Sequence, residues 1–326
     1  MLASPLRRCL LTNKVLPSEM MLRFELTRAP SDGHRLLLQP SRVLHSRYHD
    51  ARGGGKSTGK AMWVACWQDA VELLAKKGSY KRLNSSAFLD PNTIAAKVHS
   101  QLARRVVQEA DLAAERIKSW PAEAVKKLED APLQRVTKDE WRERGARLQE
   151  AVERRGRRLL AVLDLSPLPD EPDSGEASPP TPSPLPFSTR LSTPAHAPIT
   201  LYHLARFFAD VSLPPASLPP ALEPNPPDAY LSSAEQLLHC VRHPLEQATE
   251  RLARRFGRRE QGKDVEGRGT DLMIVSAPAL EVAEDLDAAE NALRCRMTQD
   301  VVPLVVALER CRLWVGEGWV DGKERT

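Results

Sequence analysis

The stretch ARGGGKSTGKAMWVACWQDAVELLAKKGSYKRL, from Ala51 to Leu83, runs from a glycine-rich basic loop through an apolar segment into a basic amphipathic one. Its middle, KAMWVAC from Lys60 to Cys66, reads as a strand. The part after it, from about Gln68 to Lys77, sets Ala70, Leu73, Leu74 and Lys77 at helical spacings. Working outward, MLRFELT from Met21 to Thr27 alternates as a second strand and RLLLQ from Arg35 to Gln39 as a third. The pair Asp32-Gly33 between these two tolerates positive φ and predicts a hairpin. Before them, Pro17-Ser18-Glu19 predicts a short helical turn. Residues 1–90 therefore read as a compact α/β domain.

The glycines invite comparison with a nucleotide cradle, G-x-x-x-x-G-K-[ST], whose backbone amides wrap a phosphate while the lysine reaches the terminal one. Gly55-Lys56-Ser57 supplies the end of that motif, but its leading glycine would fall on Asp50, a carboxylate that repels phosphate. Neither an apolar strand before the loop nor a helix beginning at Lys56 accompanies it, because Gly59 follows almost at once. An NTPase is thereby disfavoured. What remains is a pliable loop whose N–H groups let a polyanion approach, beside Lys56, Lys60, Lys76, Lys77, Lys81 and Arg82 to neutralise phosphates. Trp63 or Trp67 either stacks on an unpaired base or belongs to the core. Charge distribution agrees: through Arg82 there are 15 Lys and Arg against 6 Asp and Glu, and beyond it 32 against 37. The basic excess sits at the front of the chain, where nucleic acid or another acidic surface is the matching partner class.

Four features in order carry a family resemblance: RRC at Arg7 to Cys9, EMMLRFELT, GKAMWV at Gly59 to Val64, and the helix ending AKKGSYKRL. Together they resemble the YlxR family of small bacterial proteins, over the N-terminal quarter of the chain only. That resemblance implies a small α/β fold that binds nucleic acid, RNA in particular, with structured RNA such as the ribonuclease P RNA as partner. It adds Arg7 and Arg8 to the binding residues, with Lys60 in place of the loop arginine and Trp63 in place of the aromatic. The sequence departs from the family pattern at Ala61 and Met62, at Cys66, which falls one residue late, and in the longer loop from Gly53 to Thr58.

The remaining chain reads as mostly helical, giving an α+β protein as a whole. Residues 91–165 predict a helical extension: Ile94, Val98, Leu102, Val106, Ala110 and Ala113 form one stripe that Pro121 ends. A second helix is predicted from Thr137 to Leu163, with Thr137 and Glu140 as a capping box and interleaved Glu143, Glu150 and Glu153 making a solvated face. Residues 166–198, rich in Pro, Ser and Thr, predict a disordered linker, either a spacer or a docking site for proline-binding modules. Residues 199–326 predict a helical region of unassigned role, with helices at 199–209, 233–255, 280–296 and 299–314, and a second Pro-rich patch at 213–228.

Five scattered cysteines without a C-x-x-C pair argue against a disulfide framework and a zinc site, and for a reducing intracellular compartment. Cys9, Cys66, His45 and His49 have no ligand spacing, so neither a metal nor a cofactor is expected. Arg7, Arg8 and Lys14 precede the first acid, Glu19, as in an organelle transit peptide, which leaves mitochondrion, cytoplasm and nucleus open. No apolar run approaches the ~20 residues of a membrane span, and no membrane partner is expected. His203, His239 and His243 lack a Ser or Cys at recognisable spacing, so the chain is expected not to be an enzyme. The function predicted is non-catalytic RNA binding, as a modulator of RNA processing or ribonucleoprotein assembly. The alternative is a helical protein-interaction scaffold with a basic docking domain.

Overall fold

The computed structural model describes residues 4–28, 36–48, 60–90, 93–121, 125, 127–168, 187–191, 199–209, 233–256, 272–279, 288–317 and 319. The chain divides into two compact units, one of residues 1–109, 210–233 and 306–326, the other of 110–209 and 234–305. The expected Asp32-Gly33 turn, the loop holding His49 and Gly53 to Gly59, most of the Pro-rich linker and the Pro-rich patch at 213–228 lie outside the described residues.

The first unit opens on an antiparallel hairpin of β1 (Leu6–Arg8) and β2 (Val15–Pro17), in which Arg7 pairs with Leu16. Asn13 turns it at φ 56°, in the left-handed region that asparagine tolerates through its short polar side chain. A 3-10 turn at Ser18–Met20, as the sequence predicts, leads to a sheet of β3 (Met21–Arg28), β4 (Leu36–Ser41), β5 (Ala61–Ala65) and β6 (Ala87–Phe88). Its strand order is β5-β3-β4-β6, antiparallel except for the last pair. Period-two alternation sorts the residues onto two faces. Leu22, Phe24, Leu26, Leu38, Met62 and Val64 are buried on one, whereas Arg23, Glu25, Gln39 and Trp63 are half-buried on the other. Helix α1 (Gln68–Lys77) buries Ala70, Val71 and Leu74 and stops at Gly78, whose φ of 62° is the left-handed cap that glycine adopts without strain.

Helix α2 (Ile94–Lys118) buries Val98, Leu102 and Val106 of the predicted stripe. The other elements are β7 (Leu133–Val136), α3 (Lys138–Arg154), β8 (Arg157–Asp164), β9 (Ser188–Leu191), β10 (Ile199–His203), α4 (Leu204–Ala209), α5 (Ala234–Arg255), β11 (Leu272–Pro278) and α6 (Ala288–Trp314). In the second unit five strands form one sheet in the order β7-β11-β8-β10-β9. β8 and β10 are parallel and the other pairs antiparallel. Every residue of β11 is buried, as in a central strand covered on both faces. Val136, Val152, Leu159, Val162, Ile199, Leu272 and Ile274 form a core cluster, against which Trp141 and Leu148 of α3 pack.

The described residues of the extension and of the C-terminal region are mostly helical, as expected, but this sheet adds strands where helix or no element was expected. The helix predicted to Leu163 ends at Arg154; Gly156, at φ 65°, reverses the chain, and RRLLAVLD becomes β8. A short apolar run fits a buried strand and a buried helix equally well, and pairing with β10 and β11 decides it. For the same reason 199–209 is a strand followed by a short helix, and LMIVSAP, to which no element was assigned, is the central strand. Ser188–Leu191, expected in the disordered linker, pairs along β10 as an edge strand. The two helices predicted at 280–296 and 299–314 are one, running through Pro303 to Trp314, and residues 280–287 are outside the described set. The capping box is present: Thr137 Oγ1 accepts from the Glu140 N–H at 3.1 Å, and Glu140 Oε2 accepts from the Thr137 N–H at 3.1 Å. Among the described residues no helix is long and apolar enough to cross a membrane.

Candidate nucleic-acid interface

The cations expected to bind phosphate fall into two groups in the first unit. Arg7 and Arg8 stand exposed on β1, and Lys60 is exposed at the start of β5. The Leu10 N–H donates to the Trp63 carbonyl at 2.9 Å, which ties the segment after β1 to β5. Lys76 and Lys77 are exposed in the last turn of α1, and Lys81 and Arg82 in the 3-10 turn that follows, which packs beside β6. Lys56 lies outside the described residues.

β5 and β6 are opposite edges of a four-stranded sheet, so at about 4.8 Å per strand a width of roughly 14 Å separates the edge beside Lys60 from the edge beside the turn that holds Lys81 and Arg82. Among the described residues Arg7, Arg8, Lys60, Lys77, Lys81 and Arg82 have no carboxylate partner. Lys76 alone of the set is paired, to Glu72 on its own helix at 3.9 Å, with 74% of the lysine side chain exposed. A pair so open to water is worth little and is readily exchanged for a phosphate.

Trp63 is not a free stacking platform. It is half-buried against Cys9, Met21 and Ala65, with Leu11, Leu16 and Trp319 also packed on that cluster. The Arg7 guanidinium lies 5.8 Å from its ring centroid, so the indole serves as the bed on which a cation is held. Arg7 Nη1 also donates to its neighbour's carbonyl, Leu6 O, at 3.1 Å.

Two further arginines belong to the same face. Arg23 sits opposite Trp63 in the β3–β5 register and is ion-paired to Glu25. Burial, and then the field of Arg42, lower its pKa. Arg42, exposed just past β4, adopts φ 56°. The signal for Arg23 was available in RFEL, where alternation puts it off the core face with Glu25; nothing local marks Arg42. Lys97 of α2 donates to Gln39 on that face and is depressed by burial, so it is a structural lysine.

The cysteines near the interface are packed. Cys66 is fully buried; burial pushes its thiol up to about 11, and its Sγ donates to the Arg310 carbonyl at 3.4 Å. Burial also opposes ionisation of Cys9, but hydrogen bonds from Thr12, Ala65 and Leu11 outweigh it and lower its pKa. Among the described residues no three His, Cys, Asp or Glu side chains converge as a metal site. Comparison of the chain with protein-family models, curated proteins and solved structures finds no match.

Proposed function

We infer that the first unit binds RNA without catalysis, as its resemblance to YlxR proteins implies, and that the chain serves RNA processing or ribonucleoprotein assembly. One observation carries the reading: among the described residues six exposed cations without carboxylate partners lie about a single small sheet, Arg7, Arg8 and Lys60 by β5, Lys81 and Arg82 by β6, and Lys77 in the last turn of α1. A lone phosphate would engage one group. A polyanion chain spans both, which favours nucleic acid over a mononucleotide.

In this reading the phosphates contact Arg7, Arg8 and Lys60 on one side and Lys76, Lys77, Lys81 and Arg82 on the other. Trp63 holds Arg7 in position, and its indole contributes to affinity through that arginine. The test is binding of a structured RNA to the full chain across a salt series. Log affinity falls with log salt at about 0.7 to 0.9 per phosphate neutralised, so the slope counts contacts. Removing Lys77, Lys81 and Arg82 together as alanines lowers the slope by about 2 to 3, and Arg7→Ala with Arg8→Ala lowers it by about 1 to 2. Salt-independent binding, or slopes unmoved by both variants, refutes the proposal. Recovery of a protein partner on the helices without RNA affinity would support the scaffold alternative.

A further inference from the structure

The second unit brings together three side chains that the sequence keeps 14 to 39 residues apart. Asp164 ends β8 and His203 ends β10, and because these strands are parallel and in register the two residues are direct neighbours. Thr189 reaches them from β9. His203 Nδ1 lies 2.9 Å from Asp164 Oδ2, and His203 Nε2 lies 3.3 Å from Thr189 Oγ1. The C-terminal ends of parallel strands in open α/β sheets are where ligands are met most often.

The hydrogen-bond roles follow from valence. An ionised carboxylate only accepts, so Nδ1 carries a proton; in the neutral imidazole Nε2 then offers a lone pair, toward which the Thr189 hydroxyl donates. Asp164 is held ionised. Burial opposes its charge, but His203, Ser166 and Lys138 outweigh burial and bring it to about 2. Ser166 gives its backbone N–H to Oδ1 at 3.1 Å, and Lys138 Nζ stands 3.5 Å from the same oxygen. The His203 backbone N–H donates to the Phe187 carbonyl at 2.8 Å, which ties the end of β10 to the segment entering β9. Behind it Phe187, Tyr202 and Phe207 pack as buried rings at centroid distances of 5.7 and 5.0 Å. Exposure grades outward, from 12% at the Asp164 side chain to 23% at His203, so the carboxylate is inside and the base nearer water.

We propose that Thr189, His203 and Asp164 form a nucleophile, base and positioning carboxylate that give the second unit an acyl-transfer site for small carboxylic esters or thioesters. The geometry supplies two of the links such chemistry needs, nucleophile to base and base to orienting acid. The Thr189 proton passes to His203 Nε2 as Oγ1 bonds to the carbonyl carbon. The bond from that carbon to the leaving oxygen or sulfur then breaks, and the imidazolium returns the proton to the leaving group. Water, deprotonated by the same Nε2, cleaves the threonine ester, releasing the carboxylic acid and restoring the hydroxyl. Asp164 bears no proton at any stage; it balances the transient imidazolium. This activity is separate from RNA binding by the first unit, and failure of either leaves the other standing.

The experiment uses the full chain with p-nitrophenyl acetate, following nitrophenolate release and mapping acetyl groups by mass spectrometry. Acetylation of Thr189 is expected, with turnover lost on Thr189→Val and lowered about 100-fold or more by His203→Gln. Asp164→Asn should slow the wild-type protein but have no further effect on the His203→Gln protein, a dependence that a merely structural carboxylate would not show. Thr189→Ser keeps the hydroxyl and is expected to retain turnover, which guards against a valine variant that fails to fold. Acetyl groups recovered on lysines alone, turnover unchanged by Thr189→Val, or a Thr189→Val effect confined to thermal stability overturns the proposal. The last outcome would mean that the trio only clamps the edge strand β9.

Discussion

In the first unit Arg23, Glu25 and Trp63 alternate with Leu22, Phe24 and Val64 along β3 and β5, whereas in the second unit all seven residues of β11 are buried. One sheet keeps a polar face and displays cations at its edges. The other is covered on both sides and confines its polar chemistry to the strand ends, at Asp164 and His203. The two proposals follow this difference, since edges that display arginines and lysines suit an extended polyanion and a covered sheet suits a small reactive group at its rim.

The sharpest way to break that contrast is by core truncation. Ile274→Ala in β11 is expected to cost about 2–5 kcal/mol in urea unfolding, while Leu37→Ala on the half-buried face of the first sheet costs less than about 1.5 kcal/mol. Equal costs would mean that the two sheets are equally covered.

Acid stability tests the strand ends. Asp164 is held at about 2 against an ordinary 3.8, so its stabilisation is complete above about pH 4 and disappears as the pH falls through about 2. Its size is on the order of 2 kcal/mol, and Asp164→Asn should flatten that part of the stability profile. A smaller effect belongs to the capping box. Thr137→Ala should cost about 1 kcal/mol by loss of the bond to the Glu140 N–H, and Thr137→Ser should restore most of it. Smallest is Lys76→Ala, expected to change stability by less than about 0.5 kcal/mol because its ion pair is exposed, while still reducing the salt slope of RNA binding. A larger loss of stability would mark Lys76 as a structural residue.

The contrast also explains which parts were legible in the sequence. Where one face is polar, alternation is written into the residues: MLRFELT and KAMWVAC announce strands, and Gln68–Lys77 announces α1 with the observed bounds. Where both faces are covered, RRLLAVLD and LMIVSAP carry no alternation, and only partners far along the chain distinguish strand from helix. Exposed cations could be named from composition and position, and Arg7, Lys77 and Lys81 are on the surface. The Asp164, His203 and Thr189 cluster could not, because parallel register between β8 and β10 joins residues 39 positions apart. Trp63 shows the limit from the other side: residue type alone did not distinguish a stacking surface from a bed for Arg7.

The bond from the Leu10 amide to the Trp63 carbonyl has a further outcome for how copies of this chain meet. It occupies a hydrogen-bonding group on the outer side of β5, and the opposite margin, β6, is only two residues long. Among the described residues β6 thus offers another molecule only a two-residue edge, and β5 an edge already engaged at Trp63. In the proposed reading, copies crowded along one RNA should therefore stay dispersed, without seeding strand-to-strand fibres through these two edges.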